Sequence, residues 1–299
     1  MFRSSGGLDA ILQRPEKRPQ PRWWNLMFSN PTRGLAQLLY DARSIQPRDH
    51  ANPVTVVCIS DTHNYKPKVP DGDLLLHAGD LTQAGSLQEV SEMLAWLRSL
   101  PHPHKVVIAG NHDFALQSEE RDKLDWGDIL YLQQSSTSIK FKNGRILNIY
   151  GSPWSRKLGN WAFEYTPHQD LWTDNSPLEA DVFITHMPPR YHLDIDGYGE
   201  QRLLAELWRV RPRLHIFGHV HGGYGLEVLA YDNFTAAYES IRRNTGGIGS
   251  VFQMFYLYLG YLFSSKATRN AIPRTTLVNA AIIGGLRDDQ RREPITVDI

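Results

Sequence analysis

The chain has 299 residues, of which 41% are hydrophobic, and its 32 basic side chains balance 32 acidic ones. That length supports one large α/β domain with a full core. A zero net charge, with no basic patch bearing interleaved aromatics near the motifs below, argues against nucleic-acid binding, and a single cysteine, Cys58, excludes an intramolecular disulfide.

Residues 1–50 read as a basic extension rich in Arg and Pro (Arg14-Pro15, Arg18-Pro19, Pro21-Arg22). Trp23-Trp24-Asn25-Leu26-Met27-Phe28 interrupts it, and Leu35 to Ala42 predicts a short helix. Packing on the domain and contact with a membrane or partner both fit this arm. It carries eight Lys/Arg against four Asp/Glu, and residues 239–275 carry five against one. Each segment is thus +4, leaving −8 on the remainder. The N-terminus lacks the pattern of a cleavable leader, so an intracellular, cytoplasmic location is expected. Cys58 then reads as a small buried hydrophobe.

From residue 51 onward the pattern is one of short apolar runs, each followed by polar residues. Val54-Thr55-Val56-Val57-Cys58-Ile59 leads into Asp61-Thr62-His63, and Asp73 to Ala78 leads into Gly79-Asp80. Ser86-Leu87-Gln88-Glu89 forms a capping box that opens a helix to about Leu100, stopped by Pro101. Lys105 to Ala109 leads into Gly110-Asn111-His112-Asp113. Ile139 to Lys142 and Arg145 to Tyr150 alternate around Asn143-Gly144, a strong hairpin signal. Asp181 to Ile184 leads into Thr185-His186, and Gln201 to Val210 predicts a helix ended by Pro212. Leu214 to Phe217 leads into Gly218-His219-Val220-His221. Tyr224–Ala230, Thr275–Ile283 and Pro294–Ile299 complete the predicted strands. Continuous apolar runs bounded by turn residues read as strands buried on both faces. Ligands at their C-terminal ends converge where α/β sheets place their sites.

Carboxylate and amide oxygens combined with imidazoles suit Mn, Fe or Zn, and no thiolate set is present. Two cations about 3.5–4 Å apart clamp an in-line displacement. A carboxylate between them must bridge, and Asp80 is the choice. The motifs D-x-H, G-D, G-N-H-D, H and G-H-x-H resemble the signature of the calcineurin-like metallophosphoesterase superfamily over about 55 to 225. His77-Ala78-Gly79-Asp80, Gly151-Ser152-Pro153-Trp154, Thr185-His186-Met187-Pro188-Pro189 and Leu277-Val278-Asn279-Ala280-Ala281 resemble its brain-protein-like phosphodiesterase subgroup. The resemblance implies a four-layer sandwich of two mixed β-sheets flanked by helices. It implies one metal on Asp61, His63, Asp80 and His221, and a second on Asp80, Asn111, His186 and His219. His112 would protonate the leaving group, with Asp113 orienting it. The implied reaction is hydrolysis of a small phosphodiester, cyclic nucleotides included, by in-line attack of a metal-bridging hydroxide. Mn is the foremost metal, with Fe, Zn or Mg as alternatives. A phosphoprotein or phosphomonoester phosphatase on the same centre, or a non-catalytic scaffold binding metal or nucleotide, stays open. Of the other histidines, His77 and His215 read as core residues, and His192 as a candidate for lining the substrate pocket.

Residues 232–274 read as an apolar insertion into the domain. Asn244 to Ser265 carries no charge, and Val251 to Phe263 is apolar all round. Spanning a membrane would strand Thr275–Ile283 and Pro294–Ile299 on the wrong side. A helix lying in the membrane interface, or one buried against the domain or in a homo-oligomer, is the expectation.

Overall fold

The computed structural model describes residues 29–195, 197–285 and 289–299; the Trp23-Trp24 patch lies outside them. In chain order the first elements are α1 (Pro31–Ala42), β1 (Thr55–Ile59), β2 (Leu74–Ala78), α2 (Leu87–Ser99), β3 (His104–Ile108), α3 (Phe114–Gln117) and β4 (Ile129–Tyr131). Then come β5 (Ser135–Lys140), β6 (Ile146–Ser152), β7 (Ser155–Arg156), β8 (Glu164–Tyr165), β9 (Val182–Thr185), α4 (Gln201–Val210), β10 (Leu214–Phe217) and β11 (Gly225–Ala230). The remainder is α5 (Asn233–Arg242), α6 (Ile248–Leu262), α7 (Lys266–Ala271), β12 (Arg274–Asn279), β13 (Ile283–Gly284), β14 (Gln290–Arg291) and β15 (Ile295–Asp298).

Two large sheets face each other. One runs β15-β1-β2-β3-β4, the other β11-β12-β10-β9-β6-β5. Both are mixed. In the first, β1 to β4 pair in parallel and β15 joins antiparallel. In the second, β6, β9, β10 and β12 are parallel, with antiparallel β5 and β11 at the edges. Alternation along the buried strands builds the layers. Val56, Cys58, Leu74, Leu76 and Val106 face Ile149, Val182, Ile184, Leu214 and Ile216 across the central core. Val57, Leu75 and Val107 point the other way, onto Val90, Met93, Leu94 and Leu97 of α2. Phe183, Phe217 and Leu277 point onto Leu204 and Leu207 of α4. This is the four-layer sandwich of two mixed sheets flanked by helices, and Cys58 is buried in it as expected.

Local signals placed several elements closely. The Ser86 capping box closes on both sides, with Ser86 Oγ accepting from the Glu89 N–H and Glu89 accepting from the Ser86 N–H. α4 spans the residues anticipated for it and ends with Arg211 left-handed at φ 55°. The first hairpin strand, expected over Ile139–Lys142, runs Ser135–Lys140, and two further expectations shift. The last long strand stops at Asn279 rather than Ile283, because the Asn279 side chain turns to bond the carbonyls of Leu193 and Val220. The predicted N-terminal helix begins earlier, at Pro31, because Asn30 caps it by accepting from the Arg33 N–H.

The 232–274 stretch is a helical excursion, α5-α6-α7, between the antiparallel neighbours β11 and β12. With α1 it forms a cluster of its own, in which Ala36 meets Phe234, Ala237, Tyr238, Ile241, Val251 and Met254. Arg43 ties α1 to Asp232 at the start of α5. Among the described residues no helix is long and apolar enough to cross a membrane.

Candidate metal centre

Five strands end at one place. β1 delivers Asp61 and His63, β2 Asp80, β3 Asn111 and His112, β9 His186, and β10 His219 and His221. The two sheets are stitched together beside them, where Ser60 accepts from the Ile282 N–H at 2.8 Å and donates its own N–H to Ala280 at 2.9 Å. All seven candidate ligands sit at this junction. Asp61, Asp80, Asn111 and His186 are buried in it.

The donor atoms fall into overlapping groups. Asp61, His63 and His221 offer atoms within 4.8 Å of one another, as do Asp80, His186 and His219, and also His63, Asp80 and His112. Asp80 Oδ2 lies 3.8 Å from His63 Nε2 and 3.4 Å from His186 Nε2, so one oxygen faces both sides. Its other oxygen accepts the His112 N–H at 2.8 Å, which fixes the carboxylate. Asn111 Oδ1 lies 3.0 Å from His186 Nε2 and 2.8 Å from His219 Nδ1. On the other side, Asp61 Oδ1 is 3.3 Å from His221 Nε2.

Backbone geometry bends to make these approaches. Asp61, His63, Asp80 and His219 hold φ of 50°, 43°, 52° and 61°, in the left-handed region that costs non-glycine residues energy. Two glycines clear the space between. A Cβ on Gly110 would stand 2.7 Å from His186 Cε1 and collide with Asp80, and one on Gly218 would collide with the Asp61 carboxylate.

Charge in the site is mutual. Burial acts to raise Asp61, but the hydrogen bond and charge of His221 overcome it and hold the carboxyl at about 2. Burial opposes ionisation of Asp80 too, yet His186 drives it well below the carboxylate range. The same pair acts in reverse on His186. Burial would lower it, and Asp80 lifts it to about 9. His219 is pushed down to about 4 by burial and by His186. Both ring nitrogens of His63 are buried, and neither has a hydrogen-bond partner among the described residues. Buried polar atoms are normally paired. An imidazole so left, among carboxylate, amide and further imidazole donors, fits a divalent cation.

His112 is partly exposed at the edge of the group, its ring 4.7 Å from that of His63. Its Nδ1 lies 2.8 Å from the carbonyl of Gln83. Asp113 does not orient it. The Asp113 carboxylate instead accepts from the N–H groups of Leu81, Thr82 and Gly110 and from the Thr82 hydroxyl, tying the loop after β2 to the loop after β3. Burial, with the nearby Asp80 charge, lifts Asp113 to about 6 against these donors.

His77 and His215 are core residues, as expected, each against a threonine hydroxyl: Thr62 at 2.9 Å and Thr185 at 2.7 Å. His192 does not line a pocket. It is fully buried between Glu227, at 2.6 Å, and Glu239, at 3.3 Å. Trp161 went unnoticed in the sequence because no motif marks it. Its ring lies 4.4 Å from that of His112, and 43% of the residue is exposed.

Comparison with known proteins agrees with this geometry. The profile of the calcineurin-like phosphoesterase family matches residues 54–223. The chain is 41% identical over 304 residues to a probable rhamnogalacturonate lyase C of Emericella nidulans, covering 98% of this chain and 29% of that protein. It is 36% identical over 218 residues to metallophosphoesterase domain-containing protein 1 of Homo sapiens, covering 60% of this chain and 65% of the human one. A UPF0046 protein of Caenorhabditis elegans is 36% identical over 211 residues, 62% of this chain and 75% of that protein. The chain therefore spans less than a third of the Emericella protein's length and less than two thirds of the human one's.

Proposed function

The chain belongs to the calcineurin-like phosphoesterase family, and from that premise we propose that it hydrolyses phosphodiesters with the help of two divalent cations. Asp61, His63, Asp80 and His221 would hold one cation, and Asp80, Asn111, His186 and His219 the other. Such a pair, when bound, neutralises phosphoryl charge and lowers the pKa of water in the site. The observation that carries the reading is Asp80 Oδ2, which faces His63 and His186 at once. Oxygen and imidazole donors without a thiolate suit Mn, Fe or Zn, and Mn is our choice.

His112 is the group that supplies a proton to the leaving oxygen. The Gln83 carbonyl engages Nδ1 and leaves Nε2 as the nitrogen that hands over its proton. The preference for a diester rests on the surroundings of that acid. Trp161 lies on His112, and Phe114 stands 6.1 Å beyond it, both rings partly exposed. An aromatic ledge beside the acid suits a leaving group that carries a planar base, as in a cyclic nucleotide.

The test is hydrolysis of bis-p-nitrophenyl phosphate and p-nitrophenyl phosphate by metal-stripped protein, with Mn²⁺ restored, beside Asp80→Asn. Diester turnover that returns with Mn²⁺ and is absent from the variant is the expected result. Faster monoester turnover would favour a phosphatase. Bound metal without turnover of either substrate would favour a binding protein.

A further inference from the structure

The α6 helix buries one face and leaves the other without a protein partner among the described residues. Val251 and Met254 pack on α1 and α5, and the Tyr261 hydroxyl donates to the Ser44 carbonyl at 2.9 Å. These contacts fix the rotation of the helix about its axis. The opposite face presents Ile248, Phe252, Phe255, Tyr256, Leu259 and Phe263, spaced at intervals of three and four residues. Phe252 is 68% exposed, Tyr256 75% and Phe263 88%. A contiguous exposed apolar stripe rimmed by polar residues marks an interaction site.

The charges around the stripe identify the partner. No acidic residue occurs from Ser240 to Arg287, and the uncharged stretch of α6 is bracketed by Arg243 before it and Lys266 and Arg269 after it. Arg243 and Lys266 are exposed. At the foot of α6, a cleft of about 1180 Å³ is lined by Arg48, Lys266, Arg269 and Arg274 against Asp49 and Asp298, so cations predominate there too. A second copy of the chain laid along α6 would bring cations against cations, whether the two helices ran parallel or antiparallel. Residues 1–28 carry five Lys/Arg against two Asp/Glu, so they offer no complementary charge either. An anionic surface with an apolar interior matches both features.

We propose that the exposed face of α6 docks this protein onto an anionic phospholipid bilayer. The helix lies in the plane of the headgroups, its Phe and Leu side chains below them and Arg243, Lys266 and Arg269 at the level of the phosphates. At about 1.5 Å per residue, its 15 residues reach about 22 Å, short of the roughly 30 Å hydrocarbon core. Docking is therefore peripheral and reversible. Aromatic and basic residues at headgroup level are the chemistry of such helices.

The experiment is co-sedimentation of the full chain with vesicles of phosphatidylcholine alone or with added phosphatidylserine, at low and high salt. Tight binding is expected only with phosphatidylserine, weakening as salt rises. The double variant Phe252→Glu with Phe255→Glu should lower partitioning by about 100-fold. Arg243→Glu with Lys266→Glu should lower it by about tenfold, on serine vesicles only. Both pairs are exposed, and unchanged thermal melting will show that the variants fold. Absence of vesicle binding, or binding that the Phe252/Phe255 variant retains, would overturn the proposal. A dimer in sedimentation equilibrium that the same variant dissociates would also overturn it, and would make a second copy the occupant.

Discussion

At the residue scale, the centre divides its histidines by their surroundings. His63 has two buried nitrogens with no hydrogen-bond partner among the described residues, while His112 has one nitrogen against a carbonyl and sits at the rim. Replacing His112 by Ala should therefore lower kcat on a diester by about 10²–10⁴-fold and leave metal content unchanged, as turnover and metal analysis of one sample will show. Full activity in that variant would remove the assignment of the acid. Asp80→Asn is expected to lose both metals, because the same oxygen serves both sides. His192 was the residue least legible in the sequence, since its carboxylate partners lie 35 and 47 residues further on. Burial would lower its pKa, but Glu227 lifts it to about 10, and Glu227 is itself lowered once His192 outweighs its burial. A raised imidazole contributes its full stability below its ordinary 6.5 and loses it as pH rises through about 10. The stability gap between the protein and His192→Gln should thus be widest near about pH 6 and narrow toward about pH 10. Urea unfolding at the two pH values measures it, and a gap that widened with pH would mean the imidazole is buried neutral.

Elements whose signals are local were read correctly, because a cap or a turn needs only neighbours in sequence. The Ser86–Glu89 box and the Asn143-Gly144 hairpin are of this kind. In the hairpin, Asn143 Oδ1 accepts from the Arg145 N–H, and Gly144 takes φ 84°. Removing the cap with Ser86→Ala should cost about 1 kcal/mol, read as a lower denaturation midpoint at unchanged slope. Short strands such as β4 and β7 escaped, since two or three residues carry no period to detect. The α6 segment reads as apolar all round, and the distinction between its faces comes from α1 and α5, which bury Val251 and Met254 and pack against Leu257 and Tyr258. Residues 31–42 belong to an extension by sequence. By packing they are the third wall of that helical cluster.

At the scale of the whole molecule, the centre exists only where two sheets meet, so metal binding and folding must be linked. Asp80 holds the His186 imidazolium up to about 9, and a cation that takes this nitrogen displaces its proton. Mn²⁺ should therefore raise the melting temperature, its binding adding about 2.7 kcal/mol of stability at a hundredfold excess over Kd. It should release protons on binding at neutral pH, and Asp80→Asn should abolish both effects in calorimetry. Unchanged melting of the parent protein with Mn²⁺ would mean that the site is not closed by the fold. The candidate ligand types, their order and their place after buried strands were all present in the linear chain, because alternation and turn chemistry act over a few residues. Which oxygen faces two imidazole groups, what holds His112, where His192 finds its charge, and which side of α6 meets solvent were decided by contacts between residues tens to hundreds of positions apart. Those contacts exist only once burial has brought the strands and helices together.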